Sequence, residues 1–412
     1  MTGGPDRQGR LLAKTREKAR AEESRLLSRL KERPDYWPDL DFFLELLSQR
    51  DLRTIEERCG RKAVRLLCNQ APLELFWAAG FQPVKIISGS LAAAGYSAAN
   101  WPALMCPLIK GILTELELDP DLLDGPWVIP TTCDWVVKFW EMRGQISSRG
   151  AEVFWLELPH LKNQPKSQKR WLEEVWDLKK FLENLNGRKI GRRELRAASL
   201  LVCRLWDGIL ELKKARLDGK LPSIWFVAVM NSFFLGDPEK WLEAVRKLLA
   251  GLPAGARPAG PRVFLAGSPV FFPNYKLPLL MEQAGLWTAA DDLCSSERIF
   301  PFAQRPAETS EYDLLASLAG RYHQGCLCPT FGDNERRINN ILSQREECAL
   351  AGTVFGVLKG CHPYDLESTG LEAALKEKGL RFLRLETDYS LEDSQNLLTR
   401  LEAFGQSLKG AD

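Results

Sequence analysis

The run Thr353-Val-Phe-Gly-Val-Leu358, followed by Lys359-Gly360 and then Pro363, limits the fold more than any other stretch of the chain. A short apolar and β-branched run without alternation suits a strand buried on both faces, and the glycine breaks it just before a proline that can open a helix. Strands covered on both faces belong to parallel sheets flanked by helices. The same strand, turn and helix pattern recurs. Strands are predicted at Pro83–Ile87, Gly125–Ile129, Phe154–Pro159, Arg262–Ala266, Leu286–Ala289 and Arg381–Leu385. The expected class is therefore α/β, with doubly wound parallel sheets and right-handed connections.

Between these strands the spacing predicts helices. Arg7–Lys31 reads as an exposed amphipathic arm ending before Pro34, and Asp39–Gln49 and Leu52–Leu67 follow it. Pro72 opens a helix that Gly80 closes, and Asn100–Glu117 and a segment through Met142 complete the first set. Ser167–Leu185, Gly191–Arg216, Pro222–Phe234 and Pro238–Ala250 form a helical stretch, ended by the Gly- and Pro-punctuated linker Ala254–Pro261. Tyr275–Ala284, Tyr312–Tyr322, Glu335–Glu347 and a last helix capped by Ser390 with Asp393 belong to the second half. The division expected is an N-terminal helical arm (1–60), a first α/β domain (61–165), a helical connector (166–258) and a second α/β domain (259–412).

With 56 basic against 54 acidic residues, nothing in the charge favours nucleic acid or an anionic membrane. The longest apolar run, Ile224–Met230, is cut by Asn231-Ser232 short of a spanning length, and the amino terminus lacks an apolar signal core, so the reading is cytoplasmic. In a reducing compartment ten cysteines do not suggest a disulfide framework, and three histidines are too few for imidazole-rich metal sites. Phosphate-loop, dinucleotide, zinc-protease and nucleophile-elbow motifs are absent.

Position separates the thiols. Cys59, Cys203 and Cys348 fall inside helical segments, where a cysteine is usually a small packing residue. Cys68, Cys106, Cys133, Cys294, Cys326, Cys328 and Cys361 lie at turns or element ends, several beside Pro or Gly. Cys133, in Pro130-Thr-Thr-Cys133, and Cys361 each follow a strand, the place where open α/β sheets present a crevice. Soft thiolates without a histidine cluster favour iron–sulfur clusters or a Cys-rich zinc site. The paired CxxC knuckles usual for zinc are missing, and single cysteines spread over both halves suit a cluster held between two domains.

Leu75-Phe-Trp-Ala-Ala-Gly80, Thr132-Cys133-Asp134, Leu156-Glu-Leu-Pro159, Glu282-Gln-Ala-Gly285 with Asp292, Cys361-His-Pro363 and Leu385-Glu-Thr-Asp-Tyr389 resemble the 2-hydroxyacyl-CoA dehydratase and benzoyl-CoA reductase family, in register from about Lys62 to Phe404. Cys106-Pro-Leu-Ile-Lys110, the Cys326-Leu-Cys328 pair and Cys294 after two acids are more similar to its double-cubane branch. The resemblance implies two Rossmann-like domains, a dimer of like or related chains, and cysteine-ligated cubanes reduced by a separate, homodimeric, ATP-hydrolysing iron–sulfur activator. It places the shared cubane thiolates on Cys106, Cys133 and Cys361, and three more on Cys294, Cys326 and Cys328, with Cys68 as a substitute. The cofactor implied is an 8Fe-9S double cubane or a 4Fe-4S cluster. The activity implied is an iron–sulfur reductase acting on a small substrate; a 2-hydroxyacyl-CoA dehydratase subunit working through a ketyl radical is the alternative. Lys110, His362, Glu386 and Tyr389 are its catalytic candidates, with Asp134 and Tyr364 nearby. Gly125-Pro126 stands where the branch often has Cys-Pro, and Trp135 where a glycine usually follows Cys-Asp, which keeps a non-catalytic electron relay or scaffold as a third reading.

Overall fold

The computed structural model describes residues 5–97, 101–146, 151–253, 259–307, 310–332 and 335–409. Three helices lead in: α1 (Pro5–Lys31), α2 (Asp41–Ser48) and α3 (Leu52–Cys59). The first sheet contains β1 (Ala63–Leu66), β2 (Gln82–Lys85), β3 (Trp127–Pro130) and β4 (Val153–Leu156), interleaved with α4 (Leu73–Ala78), α5 (Leu91–Ser97), α6 (Pro107–Leu118) and α7 (Asp134–Ile146). Four helices follow: α8 (Pro165–Asn186), α9 (Arg192–Leu217), α10 (Ser223–Asn231) and α11 (Pro238–Gly251). The second sheet contains β5 (Arg262–Gly267), β6 (Trp287–Asp291), β7 (Gly352–Leu358) and β8 (Arg381–Thr387), with α12 (Lys276–Gln283), α13 (Glu311–Gln324), α14 (Glu335–Cys348), α15 (His362–Glu377) and α16 (Ser394–Lys409).

Both sheets are fully parallel and share one strand order, β2-β1-β3-β4 and β6-β5-β7-β8. The fold is thus α/β with two Rossmann-like units. In each, the chain reverses its direction of travel across the sheet between the first and third strands, and the loops leaving those two strands diverge to open a crevice. The strand β7 is buried along its whole length, as its uninterrupted apolar run requires.

Three expectations need correction. Leu52–Leu67 is not one helix: Asp51 caps Thr54 N at 2.9 Å, and Gly60, with φ 62, ends α3 in the left-handed region. Ala63–Leu66 then forms β1, whose Arg65 reaches the Asp121 carbonyl at 3.1 Å. The arm α1 is not merely solvated, because Leu26 and Leu30 are buried and Glu22 accepts bonds at 2.8 Å from Ser90 Oγ and Ala92 N at the start of α5, a helix the pattern did not announce. Ser390 does not cap the last helix either. Asp393 instead takes Lys276 Nζ at 2.6 Å and Thr387 Oγ1 at 2.7 Å, and Lys276 also donates to the carbonyls of Asp388 and Ser390. Residues 254–258 of the expected linker and the start of the Asn100–Glu117 segment lie outside the described residues.

The helices between the sheets brace the loops of the second one. The last turn of α9 sends the buried Arg216 to Asp291 Oδ2 at 2.7 Å and to Glu297, and Asn231 of α10 donates to the carbonyls of Val270 (3.2 Å) and Ser295 (3.1 Å). The loops after β5 and β6 are fixed by these contacts. The loop after β2 meets the second half closely, since a Cβ at Gly89 would stand 2.1 Å from the Phe271 carbonyl oxygen. No helix among the described residues is long and apolar enough to cross a membrane.

Candidate functional site

Strand ends carry four of the seven thiols. Cys68 follows β1, Cys133 follows β3, Cys294 follows β6 and Cys361 follows β7, while Cys106 precedes α6 and Cys326 and Cys328 follow α13. Folding draws these seven into two neighbouring groups.

The first group holds Cys106, Cys133 and Cys361. Each sits at a helix N-terminus and accepts from first-turn amides: Leu108 and Ile109 for Cys106, Trp135 and Val136 for Cys133, Tyr364 for Cys361. Those amides and the helix dipoles favour negative charge on sulfur. Cys361 shares a hydrogen bond with Cys106 that pulls the Cys106 thiol down and pushes the Cys361 thiol well up. Burial pushes the Cys133 thiol up to about 11. Three loops are tied together here. Gly360, with φ 75, is where a Cβ would fall 2.0 Å from the Leu104 carbonyl oxygen, so only glycine lets the turn after β7 lie against the segment leading to Cys106. Trp135 Nε1 donates to the Gly360 carbonyl at 2.9 Å and binds the start of α7 to that turn.

The second group holds Cys68, Cys294, Cys326 and Cys328. Cys68 lies in the fields of Cys294 and Cys326, and Cys328 in those of Cys326 and Cys68. Gln70 Nε2 donates to Cys326 Sγ at 2.6 Å, and Asn69 Nδ2 donates to the Cys294 carbonyl at 2.5 Å. Burial pushes Cys68 up to about 12 and Cys328 well above the ordinary thiol range. Cations stand around them. Arg298 interacts with Cys294 and Cys328 while donating to the Leu327 carbonyl at 2.9 Å and to Tyr364 Oη at 2.8 Å, and Lys85 acts on Cys68. The groups adjoin: Tyr364, in the first turn of the helix that Cys361 begins, faces Cys294 and Cys328, and Thr330 Oγ1 donates to the Thr132 carbonyl.

The remaining predicted residues divide by place. Lys110 is buried beside Cys106, its ammonium 3.0 Å from the Ala103 carbonyl, and burial lowers its pKa. Tyr389 is buried in the fields of Cys106 and Cys361, its hydroxyl has no hydrogen-bond partner among the described residues, and burial pushes its pKa up. His362 is exposed, its ring edge-on to Trp135 with centroids 6.3 Å apart. Glu386 is exposed and pairs with Arg384 at 3.2 Å, while Asp134 lies exposed in the first turn of α7. Cys59, Cys203 and Cys348 join neither group, as expected from their helical settings.

Sequence reasoning missed Ser268, Lys85, Arg298 and Gln70. Ser268 donates to Cys361 and accepts from Leu358 N at 3.0 Å; it follows β5 as Cys68 follows β1, so comparing the two halves strand by strand finds it. Lys85 had a weaker signal, as a lone charge at the end of an apolar strand.

The profile of the family described as 2-hydroxyglutaryl-CoA dehydratase, D-component, matches residues 68–408, almost the whole span that carries both sheets. This chain belongs to that family. It is 27% identical over 374 residues to YjiM of Escherichia coli strain K12, a protein provisionally named as a dehydratase subunit, with 86% of this chain and 93% of that protein covered. It is 24% identical to the beta subunit of the (R)-phenyllactyl-CoA dehydratase of Clostridium sporogenes (85% and 93% covered) and 22% identical to one of the subunits of the benzoyl-CoA reductase of Thauera aromatica (85% and 92%). These likenesses make the chain a dehydratase- or reductase-type subunit, an enzyme component by family.

Proposed function

We propose that the seven-thiol crevice holds an iron–sulfur cluster and that the chain is the reductase component of a system in which a separate ATP-hydrolysing iron–sulfur activator supplies electrons for reducing a small substrate. The observation that carries this reading is the convergence of seven loop thiols, three at helix N-termini and four among cations, from both halves of the chain, four of them directly after strands. No three His, Cys, Asp or Glu side chains among the described residues meet closely enough to grip a single ion. A cubane presents its irons at separated corners and suits thiols spread around a space. Buried thiols that would otherwise stay protonated also gain from a group that binds thiolates and releases protons.

When bound, such a cluster supplies single electrons at potentials that reach roughly −700 mV at the low end. Cys106, Cys133 and Cys361 would hold one cubane, and Cys294, Cys326 and Cys328, with Cys68 beside them, a second, giving the double cubane. Ser268 holds Cys361 in place. Tyr389 keeps its hydroxyl proton at neutral pH and offers it toward Cys106 and Cys361, and Lys110 places positive charge beside Cys106. His362 and Glu386, exposed at the rim, would deliver protons from solvent. The working unit proposed is a cytoplasmic dimer with the division 1–60, 61–165, 166–258 and 259–412. A dehydratase subunit paired with a related chain is the second reading, favoured by relatives named as dehydratase beta subunits.

Iron and acid-labile sulfide per chain after anaerobic purification test the cluster, about eight irons fitting two cubanes and about four a single one. Acetylene reduction with activator and ATP supports the reductase, whereas thermal stabilisation by acyl-CoA without acetylene reduction supports the dehydratase. A chain that takes up neither iron nor sulfide refutes both.

A further inference from the structure

Lys85 is a buried cation that forms no ion pair with a described residue. It ends β2 with 6% of its surface exposed, and no carboxylate among the described residues stands within ion-pair distance of its ammonium. Its hydrogen bond goes to Asn69 Oδ1 at 2.6 Å, and the Phe271 ring lies under it with the centroid 4.9 Å away. An isolated ammonium in such a place costs several kcal/mol unless an anion compensates it. Two sets of groups stand near enough to do so, thiols on one side and carboxylates on the other. Lys85 acts electrostatically on Cys68, and Lys85 and Cys294 line one small cavity together with Phe271 and Ser295. Through Asn69, which accepts from Lys85 and donates to the Cys294 carbonyl, the ammonium is also connected to the loop after β6. Its other side meets a cavity of about 460 Å³ roofed by α1, and the carboxylates lining it are engaged elsewhere: Glu23 with Arg50, Asp51 with Thr54 N, Glu115 with Ser88 Oγ and Asp119 with Asp121 N.

We infer that Lys85 is the fixed counter-charge of the four-thiol group, the residue that lets Cys68, Cys294, Cys326 and Cys328 carry the net negative charge of a thiolate-ligated inorganic group. This rests on the proposed cluster and adds a positioning residue to it. A positive charge beside the group stabilises its reduced form, so removing it lowers the fraction reduced at a given donor potential. For a one-electron couple the shift expected is about tenfold in the reduced-to-oxidised ratio, equivalent to about 59 mV.

The test compares wild type, Lys85→Arg, Lys85→Met and Lys85→Gln after anaerobic reconstitution with iron and sulfide, reading iron per chain and an EPR-monitored redox titration, with circular dichroism to check folding. Lys85→Arg is expected to match wild type. Lys85→Met and Lys85→Gln, the latter keeping a hydrogen bond to Asn69 without the charge, are expected to lose the iron of the four-thiol group alone or to show the tenfold lower reduced fraction. Met and Gln variants that match wild type in both readouts, or an Arg variant that loses as much iron as they do, would assign Lys85 to packing and overturn the inference. A wild-type chain that takes up no iron is a different result: it removes the cluster reading first, and this inference with it.

Discussion

Gly360→Ala asks whether the turn after β7 really clamps the first thiol group. An alanine there must adopt a φ of 75, which costs about 1–2 kcal/mol for a residue with a side chain. Its Cβ would also lie 2.0 Å from the Leu104 carbonyl oxygen and 3.2 Å from Cys106 N, atoms of backbone that cannot rotate away, and shifting them adds about 1–3 kcal/mol. The sum is about 3 kcal/mol, and it falls on the contact between two loops. If the loss is local, the population with the loops apart rises by about a hundredfold, since each 1.4 kcal/mol is a factor of about ten. Cys106 is only 6% exposed, so its alkylation waits on that opening. Iodoacetamide labelling of iron-free protein, followed by peptide mass spectrometry, reads the rates at Cys106 and Cys361 separately. The control is Gly370→Ala in α15, where an added Cβ meets nothing within 4 Å and the substitution should be neutral or stabilise by about 0.5–1 kcal/mol. Labelling of Cys106 at the same rate in Gly360→Ala as in Gly370→Ala would refute the clamp.

Tyr389→Phe should leave the iron-free chain unchanged or stabilise it by about 1 kcal/mol, because the hydroxyl it removes is buried without a partner among the described residues, and should destabilise the iron-loaded chain; urea denaturation of both forms checks the change of sign. Ser268→Ala removes the hydrogen bond to Cys361 and should cost about 1 kcal/mol and lower iron retention under chelator challenge, with Ser268→Thr retaining more than Ala. Burial pushes the Glu367 carboxyl up to about 7, against the pull of Arg337 at 2.6 Å. The folded chain therefore binds the proton more tightly than the unfolded one, whose carboxyl titrates near 4.5, and this favourable contribution is complete below that value and is lost as pH rises through about 7. Stability relative to Glu367→Gln should fall over that window by at most about 1.4 kcal/mol per pH unit, and parallel stability profiles of the two chains would contradict it.

What can be read from the chain alone follows from the range over which each signal acts. The strand β7 is readable because its apolar run, its closing glycine and the proline beyond it are all local. The strand β1 is not, because Ala63-Val-Arg-Leu-Leu67 satisfies a helical period as well as a buried strand, and its pairing with Gln82–Lys85 decides the matter at a distance. The glycine that ends α3 is a local stop signal that the helical period there outweighs on paper. The seven thiols can be picked out because turn positions beside Pro and Gly are visible in the chain itself. Two of their cations cannot: Lys85 and Arg298 look like dozens of other basic residues until folding brings them against sulfur, whereas Lys110 stands out only through the motif it shares with Cys106. Asp393 shows the converse, a local capping pattern overridden by a lysine more than a hundred residues away, Lys276, which uses it to hold the turn bearing Tyr389.

The bond from Asn69 to the Cys294 carbonyl joins residues 225 positions apart, and Thr330 reaches Thr132 across 198. On a ribosome, then, the first sheet emerges with Cys68, Cys106 and Cys133 long before Cys294, Cys326, Cys328 and Cys361 exist; the four-thiol group is complete only once Cys328 has left the exit tunnel, and the three-thiol group only once Cys361 has. Loading of the proposed cluster would then come late in synthesis, and half-built clefts of thiols would stand exposed to oxidation during the interval.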